Sequence, residues 1–153
     1  MKRKALLILC ILLAFSTLGF AKDKSLTRSQ LPAAVRKTAD EQSQGATVRG
    51  YSSEVENGKL QYEVQLTING RSRDVSIAPN GYVLEIEDEI AMDGLPGAVR
   101  EALTKKAGAG TITKVESLSK SGKLIAYEAQ VRSGAKHSEI QVGPDGRPLA
   151  HPE

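Results

Sequence analysis

The sequence predicts an α+β fold of two tandem repeats, each a helix followed by a three- to four-stranded antiparallel meander packed on it. Two observations carry this expectation. The segment Leu31-Pro32-Ala33-Ala34-Val35-Arg36 recurs 64 residues later as Leu95-Pro96-Gly97-Ala98-Val99-Arg100. After each copy, the apolar period changes from that of a helix to two.

The correspondence continues through Thr47-Val48 with Thr111-Ile112 and Gly58-Lys59-Leu60 with Gly122-Lys123-Leu124. It then shifts to 65, pairing Tyr62-Glu63 with Tyr127-Glu128, Gln65 with Gln130, and Pro79 and Gly81 with Pro144 and Gly146. One residue is therefore inserted near Ile125. A strand houses such an insertion most easily as a bulge, because otherwise every later side chain changes face.

Each copy opens with a helix of about 14 residues, an ordinary length. Leu31, Ala34, Val35, Thr38 and Ala39 fall at i, i+3, i+4, i+7 and i+8, and Leu95, Ala98, Val99, Ala102 and Leu103 repeat that spacing. Ser29 and Asp93 are the candidate N-caps, the prolines that follow fit a first turn, and Gly45 and Gly108 are the expected stops.

Strands follow. Leu60, Tyr62, Val64, Leu66 and Ile68 alternate with Gln61, Glu63, Gln65 and Thr67, the pattern of a half-buried strand. Asn57-Gly58 and Asn69-Gly70 flank it as hairpin signals, because the tight turn requires positive φ. The first copy reads as strands over 46–55, 59–68, 71–78 and 82–89, and the second as strands over 111–118, 124–131 and 136–142. A fourth strand in the second copy is opposed by Pro148 and Pro152.

The N-terminus has the form of a secretory signal peptide: Lys2, Arg3 and Lys4, an apolar stretch from Ala5 to Phe15, then small residues at Gly19 and Ala21. The stretch is shorter than the roughly 20 apolar residues a spanning helix needs, so cleavage is expected after Ala21 and no membrane span in the mature chain. The organisation is then 1–21 signal peptide, 22–90 first repeat and 91–153 second repeat, in an exported protein, periplasmic or secreted. Cys10, the only cysteine, lies in the apolar stretch, so the mature chain has no thiol chemistry and no disulfide. A unit of about 65 residues buries only roughly 60% of its chain surface and is marginal alone. The expected state is a monomer in which the copies lean on each other, through either a continuous sheet or two packed layers.

Removing Lys2, Arg3 and Lys4 from the 21 basic residues leaves 18 against 18 acidic ones. A neutral chain without tryptophan, whose two phenylalanines are both in the signal segment, lacks the footprint of nucleic-acid binding. The histidines, His137 and His151, form no paired metal motif, and no serine sits in a nucleophile elbow. The sequence therefore points to no catalytic residue, no cofactor and no metal-ligand set. In the acidic run Glu85, Glu87, Asp88 and Glu89, a strand sends Asp88 to one face and the three glutamates to the other. Steps of about 7 Å are too wide for chelation without another strand, so the run reads as a solvated strand edge.

The face opposite the apolar alternation is the candidate binding surface. Glu63, Gln65, Glu128 and Gln130 are its chosen residues, because both copies share them. An exposed sheet edge, extended by a partner's backbone, is the other candidate.

A helix opened by Leu-Pro-x-x-Val, a Gly-Lys-Leu turn, a strand centred on Tyr-Glu-Val and a closing Pro-x-Gly turn resemble the PepSY-like repeat of secreted and periplasmic bacterial proteins. The matching residues are Leu31, Pro32, Val35, Gly58, Tyr62, Glu63, Val64, Pro79, Asn80 and Gly81 with their counterparts from Leu95 to Gly146. The resemblance implies a non-catalytic domain of the kind found in metallopeptidase propeptides and in envelope proteins that restrain peptidases. The tandem arrangement is similar to that of beta-lactamase inhibitor proteins, from which this chain departs by lacking disulfides and by carrying few large aromatics on its sheet faces. The expected partner is a peptidase or other hydrolase. The alternative is a periplasmic module that binds or senses a small molecule or cation without an enzyme partner.

Overall fold

The structure is a computed structural model that describes residues 24–151. The signal segment and its cleavage point lie outside the described residues. Within them the chain runs β1 (Lys24–Leu26), α1 (Ala33–Gln42), β2 (Thr47–Glu56), β3 (Lys59–Ile68), β4 (Arg71–Ile77), β5 (Val83–Glu89), α2 (Gly97–Ala107), β6 (Thr111–Lys120), β7 (Lys123–Ser133) and β8 (Lys136–Val142).

These strands form one eight-stranded antiparallel sheet in strict chain order. The expectation of two tandem helix-plus-meander units is thereby corrected: the described chain is mostly a single sheet carrying two α-helices. The reason is the pairing of β5 with β6, from Glu85 opposite Lys120 to Glu89 opposite Glu116. Periodicity identifies a strand but not its neighbour, and an unpaired β5 would have left a row of backbone donors and acceptors at an edge in mid-molecule. The β5 segment is consequently an interior strand, half-buried throughout, and not the solvated edge its charges imply. The three-residue β1, paired with β2, has no sequence signal.

Both helices lie on the same sheet face. Under α1, Val35 and Ala39 meet Val64, Leu66, Val75 and Ile77; under α2, Val99 and Leu103 meet Val115, Tyr127, Ala129 and Val142. The helices begin later than their capping signals imply. Ser29 and Asp93 sit in 3-10 turns (Arg28–Gln30 and Met92–Gly94), and the N-cap positions belong to Pro32 and Pro96. A residue before proline is excluded from the α region, so Leu31 and Leu95 stay extended, with ψ of 138° and 147°, and bury their side chains instead.

The inserted residue is housed as expected: pairing skips Ile125 between Ala126 and Leu124 on β7. The Pro-x-Gly turns have a packing reason. Gly81 and Gly146 adopt φ of +87° and +80°, and each abuts the first turn of its helix. A Cβ on Gly146 would stand 2.6 Å from the Ala98 carbonyl oxygen, and one on Gly81 2.9 Å from that of Ala34.

Gly146→Ala therefore combines a disfavoured backbone region with a backbone clash and is expected to lower stability by roughly 2 kcal/mol or more in urea unfolding. Gly97→Ala, in open space at the start of α2, is expected to be neutral or stabilising by up to about 1 kcal/mol. Equal effects at the two positions would refute this account of the turn.

Candidate functional site

Strand alternation leaves one sheet face without a helix, and its polar side chains concentrate where β4, β5, β6 and β7 lie side by side. Cross-strand register aligns Asp74 with Glu87 and Glu87 with Leu118 in one row; Glu89, Glu116, Glu128 and Gln141 form the next. Ser76, Glu85 and Lys120 form a third. Leu118 and Ala126, on this same face, are as buried as the helix-side core. Neighbouring side chains on this face therefore shield part of it without a second layer.

Three carboxylates, Asp74, Glu87 and Glu116, bring oxygens within 4.8 Å of one another. A fourth acid adjoins them: Glu128 on β7 stands directly opposite Glu116 on β6, an arrangement that repels when both are charged. Cations answer part of this. Arg49, the residue that the β2 ladder skips, sends its guanidinium over β3, donating to the Leu66 carbonyl at 3.0 Å and to Asp74 Oδ1 at 2.6 Å. Lys120 pairs with Glu85 at 3.3 Å and Lys114 with Glu116 at 2.5 Å. Gln141 donates to Glu128 at 2.7 Å.

The compensation is incomplete, and the proton affinities show it. Burial pushes Asp74 upward against the pull of Arg49 and Lys114, and Glu116 upward against Lys114. Burial also raises Glu128, against the Gln141 bond and with help from Glu139 and Glu116. Glu87 has no cation of its own: burial first, then the charges of Glu116, Glu85 and Glu128, push it up to about 9. Glu89 is the exception, held below the usual range by the Ser72 backbone N–H, which donates to it at 2.9 Å.

The four residues chosen from the sequence all lie on this helix-free face, but not together. Glu63 and Gln65 are on β3, and Glu128 and Gln130 four strands away on β7, about 19 Å at ordinary strand spacing. Gln65 adjoins Asp74 and Gly50, Gln130 adjoins Lys114 and Glu139, and Glu128 is 8% exposed and bonded to Gln141. Asp74 and Glu116 carry no sequence signal. The β4–β5 ladder sets Asp74 opposite Glu87, and the β5–β6 ladder brings Glu116 beside them.

No family model and no curated protein matches the chain significantly. Solved structures do. A candidate periplasmic protein from Bacteroides eggerthii superposes with a TM-score of 0.62 at 18% identity, over 77% of this chain and 85% of that one. A DUF2874 family protein from Bacteroides ovatus gives 0.60 at 16%, over 77% and 84%. A BLIP-like protein from Bacteroides fragilis gives 0.55 at 21%, over 76% and 81%. The chain shares the fold of these proteins. At such identities the likeness is one of fold, and the carboxylate cluster has to be read from this chain's own residues.

Because the folded state holds the Glu87 proton far above the unfolded value near 4.5, the contribution of this group to stability is fully present below pH 4.5. It is lost as pH rises towards about 9. Glu87→Gln, which is neutral at every pH, is expected to flatten that decline and to stabilise the protein at pH 8 by about 1–3 kcal/mol in urea unfolding. Parallel stability–pH profiles for the two proteins would show that Glu87 is ionised in the fold at neutral pH.

Proposed function

We propose that this chain is an exported, non-catalytic PepSY-like binding protein that holds a protein partner against the helix-free face of its sheet, the partner being an envelope or secreted hydrolase such as a peptidase. The observation that carries this reading is the face itself. It spans the strands of both copies, bears no helix, and presents half-buried polar side chains, Glu63, Gln65 and Gln130 among them, around an acidic centre.

Three further points support it. The fold is shared with a BLIP-like protein and with a candidate periplasmic protein, and the signal-like N-terminus accords with export. Among the described residues no helix is long and apolar enough to cross a membrane. For the non-catalytic part, His137 lies exposed on β8 and His151 exposed in the tail, whereas a catalytic base works from a pocket beside its nucleophile. A hydrolase docked on an acidic face would present basic side chains, and complementarity of this kind sets specificity and on-rate more than affinity.

The test is capture followed by assay. The chain from Lys22 onward, immobilised, is expected to retain a hydrolase from an envelope and secretome extract of its own organism and to slow that enzyme in solution. Glu63→Lys combined with Gln130→Lys is expected to weaken retention at least tenfold, about 1.4 kcal/mol. Retention of nothing from an extract rich in such enzymes, or retention indifferent to both charge changes, would overturn the reading.

A further inference from the structure

We propose that the outer edge of β8 receives an extended segment of another polypeptide as a further antiparallel strand, with an apolar residue opposite Ile140 and a basic residue opposite Glu139. The repeat itself supplies the template. The offset of 65 that pairs the Pro-x-Gly turns also lays β4, Arg71–Ile77, onto β8, Lys136–Val142. Each turn is closed by the same backbone bond, from Ala78 N–H to the Tyr82 carbonyl and from Gly143 N–H to that of Arg147. In the first copy the chain leaves the turn and pairs along β4 as β5. In the second copy residues 147–151 form no ladder, and no strand lies beyond β8 among the described residues.

Proline accounts for the difference. At the offset of 65, Pro148 and Pro152 stand where Val83 and Glu87 stand in β5. Glu87 is the ladder partner of Asp74, and a proline in that place has no N–H to donate. The segment after the second turn therefore cannot repeat what β5 does, and the edge is left for a chain that can.

Backbone groups alternate in direction along a strand. The Gly143 N–H and the Gln141 carbonyl both point away from β7, the first to Arg147 and the second to Lys106 Nζ at 2.8 Å. The N–H and C=O groups of Glu139 and His137 therefore point the same way. Lys106 is exposed and sits on a flexible stem, so it covers one carbonyl at the end of this edge and is readily displaced. Side-chain packing is incomplete at the same place. Val75, between β3 and β5, is fully buried, with Ile86 opposite it on the first apolar cluster. Its counterpart Ile140 lies on the second cluster but is only half-buried, because no strand lies beside it on the outer side. An apolar residue opposite Ile140 takes the place of Ile86 and completes that cluster. On the other sheet face Glu139 is exposed, and a cation opposite it on the incoming strand is attracted across the ladder. Pairing of this kind takes its affinity from backbone bonds and its selectivity from alternate side chains. The opposite edge, the three-residue β1, offers no such template.

The inference does not depend on a partner held against the helix-free face. It is tested on the chain alone with a synthetic peptide, so its failure and that of the partner reading are separately visible.

The experiment titrates the chain from Lys22 onward with the end-capped peptide Ser-Thr-Ile-Lys-Val-Thr-Glu, whose antiparallel register sets Ile opposite Ile140 and Lys opposite Glu139. Binding is followed by calorimetry and by amide hydrogen exchange. One-to-one binding that approaches saturation by about 1 mM is expected, with new protection at the Glu139 and His137 amides. Methylating the peptide's Lys nitrogen, which faces β8, is expected to weaken binding about tenfold or more, because a ladder bond is lost. Methylating its Ile nitrogen, which faces away, is expected to change binding no more than about twofold, because none is lost. Glu139→Lys, an exposed change, is expected to weaken the peptide about threefold or more and to favour a version with Glu in place of Lys. Absence of binding at about 1 mM overturns the proposal, as does equal loss from the two methylations. So does a stable dimer of the chain through β8 that the peptide fails to dissociate, which would give the edge to a second copy.

Discussion

The ladder between β5 and β6 is the constraint on which the rest of the molecule depends. It runs over the last five residues of β5, Glu85 to Glu89, and through it the hydrogen bonding of the first half passes into the second without an edge. Each half has its own helix and apolar cluster, α1 over β3 and β4, α2 over β6, β7 and β8. Neither cluster reaches across the seam to do the joining. Backbone pairing does it, and the side chains there are free to be something other than core: Ser117 and Ser119 on the helix side, and acids on the other.

That freedom is used in an unfavourable direction. Directly opposed like charges weaken a sheet, and buried carboxylates lose hydration that only partners can replace. Arg49, Lys114 and Lys120 supply partial replacement, but Glu87 is left with a proton as its counter-charge at neutral pH. A sequence selected for stability alone would place Val or Thr at these outward positions. Local electrostatic conflict inside an otherwise consistent fold is the pattern expected where a surface has a binding task.

The two copies also show how a repeat becomes asymmetric. The strand after each helix carries a bulge at the equivalent place, Arg49 in β2 and Thr113 in β6, and both bulged side chains donate to the neighbouring strand's carbonyl, Leu66 and Gln130 respectively. Thr113 stops there. Arg49 continues to Asp74 on the next strand, drawing a residue of the first copy into the seam cluster. The strand β5 has no counterpart after β8 among the described residues, so the acids it contributes have no second set.

Much of the local structure was legible in the residues. Alternation located the seven long strands, the Asn-Gly pairs located turns in which both central residues have positive φ, and the 65-residue offset anticipated the bulge at Ile125. Even the separation of Glu87 from Asp88 onto opposite faces follows from period two, with Asp88 turned to the helix side to pair with Arg73. These features are written in the chain because each depends on residues within a turn or a strand of one another. The single sheet and the cluster were decided elsewhere. Which strand lies beside which is a long-range choice between edges of similar local pattern, so no periodicity reports that β5 meets β6. Self-similarity directed attention to Glu63 and Glu128, which the repeat holds strands apart, and away from Asp74, Glu87 and Glu116. Those three become neighbours only through the packing of adjacent strands, where the energy of pairing an otherwise open edge outweighs the repulsion of the acids it brings together.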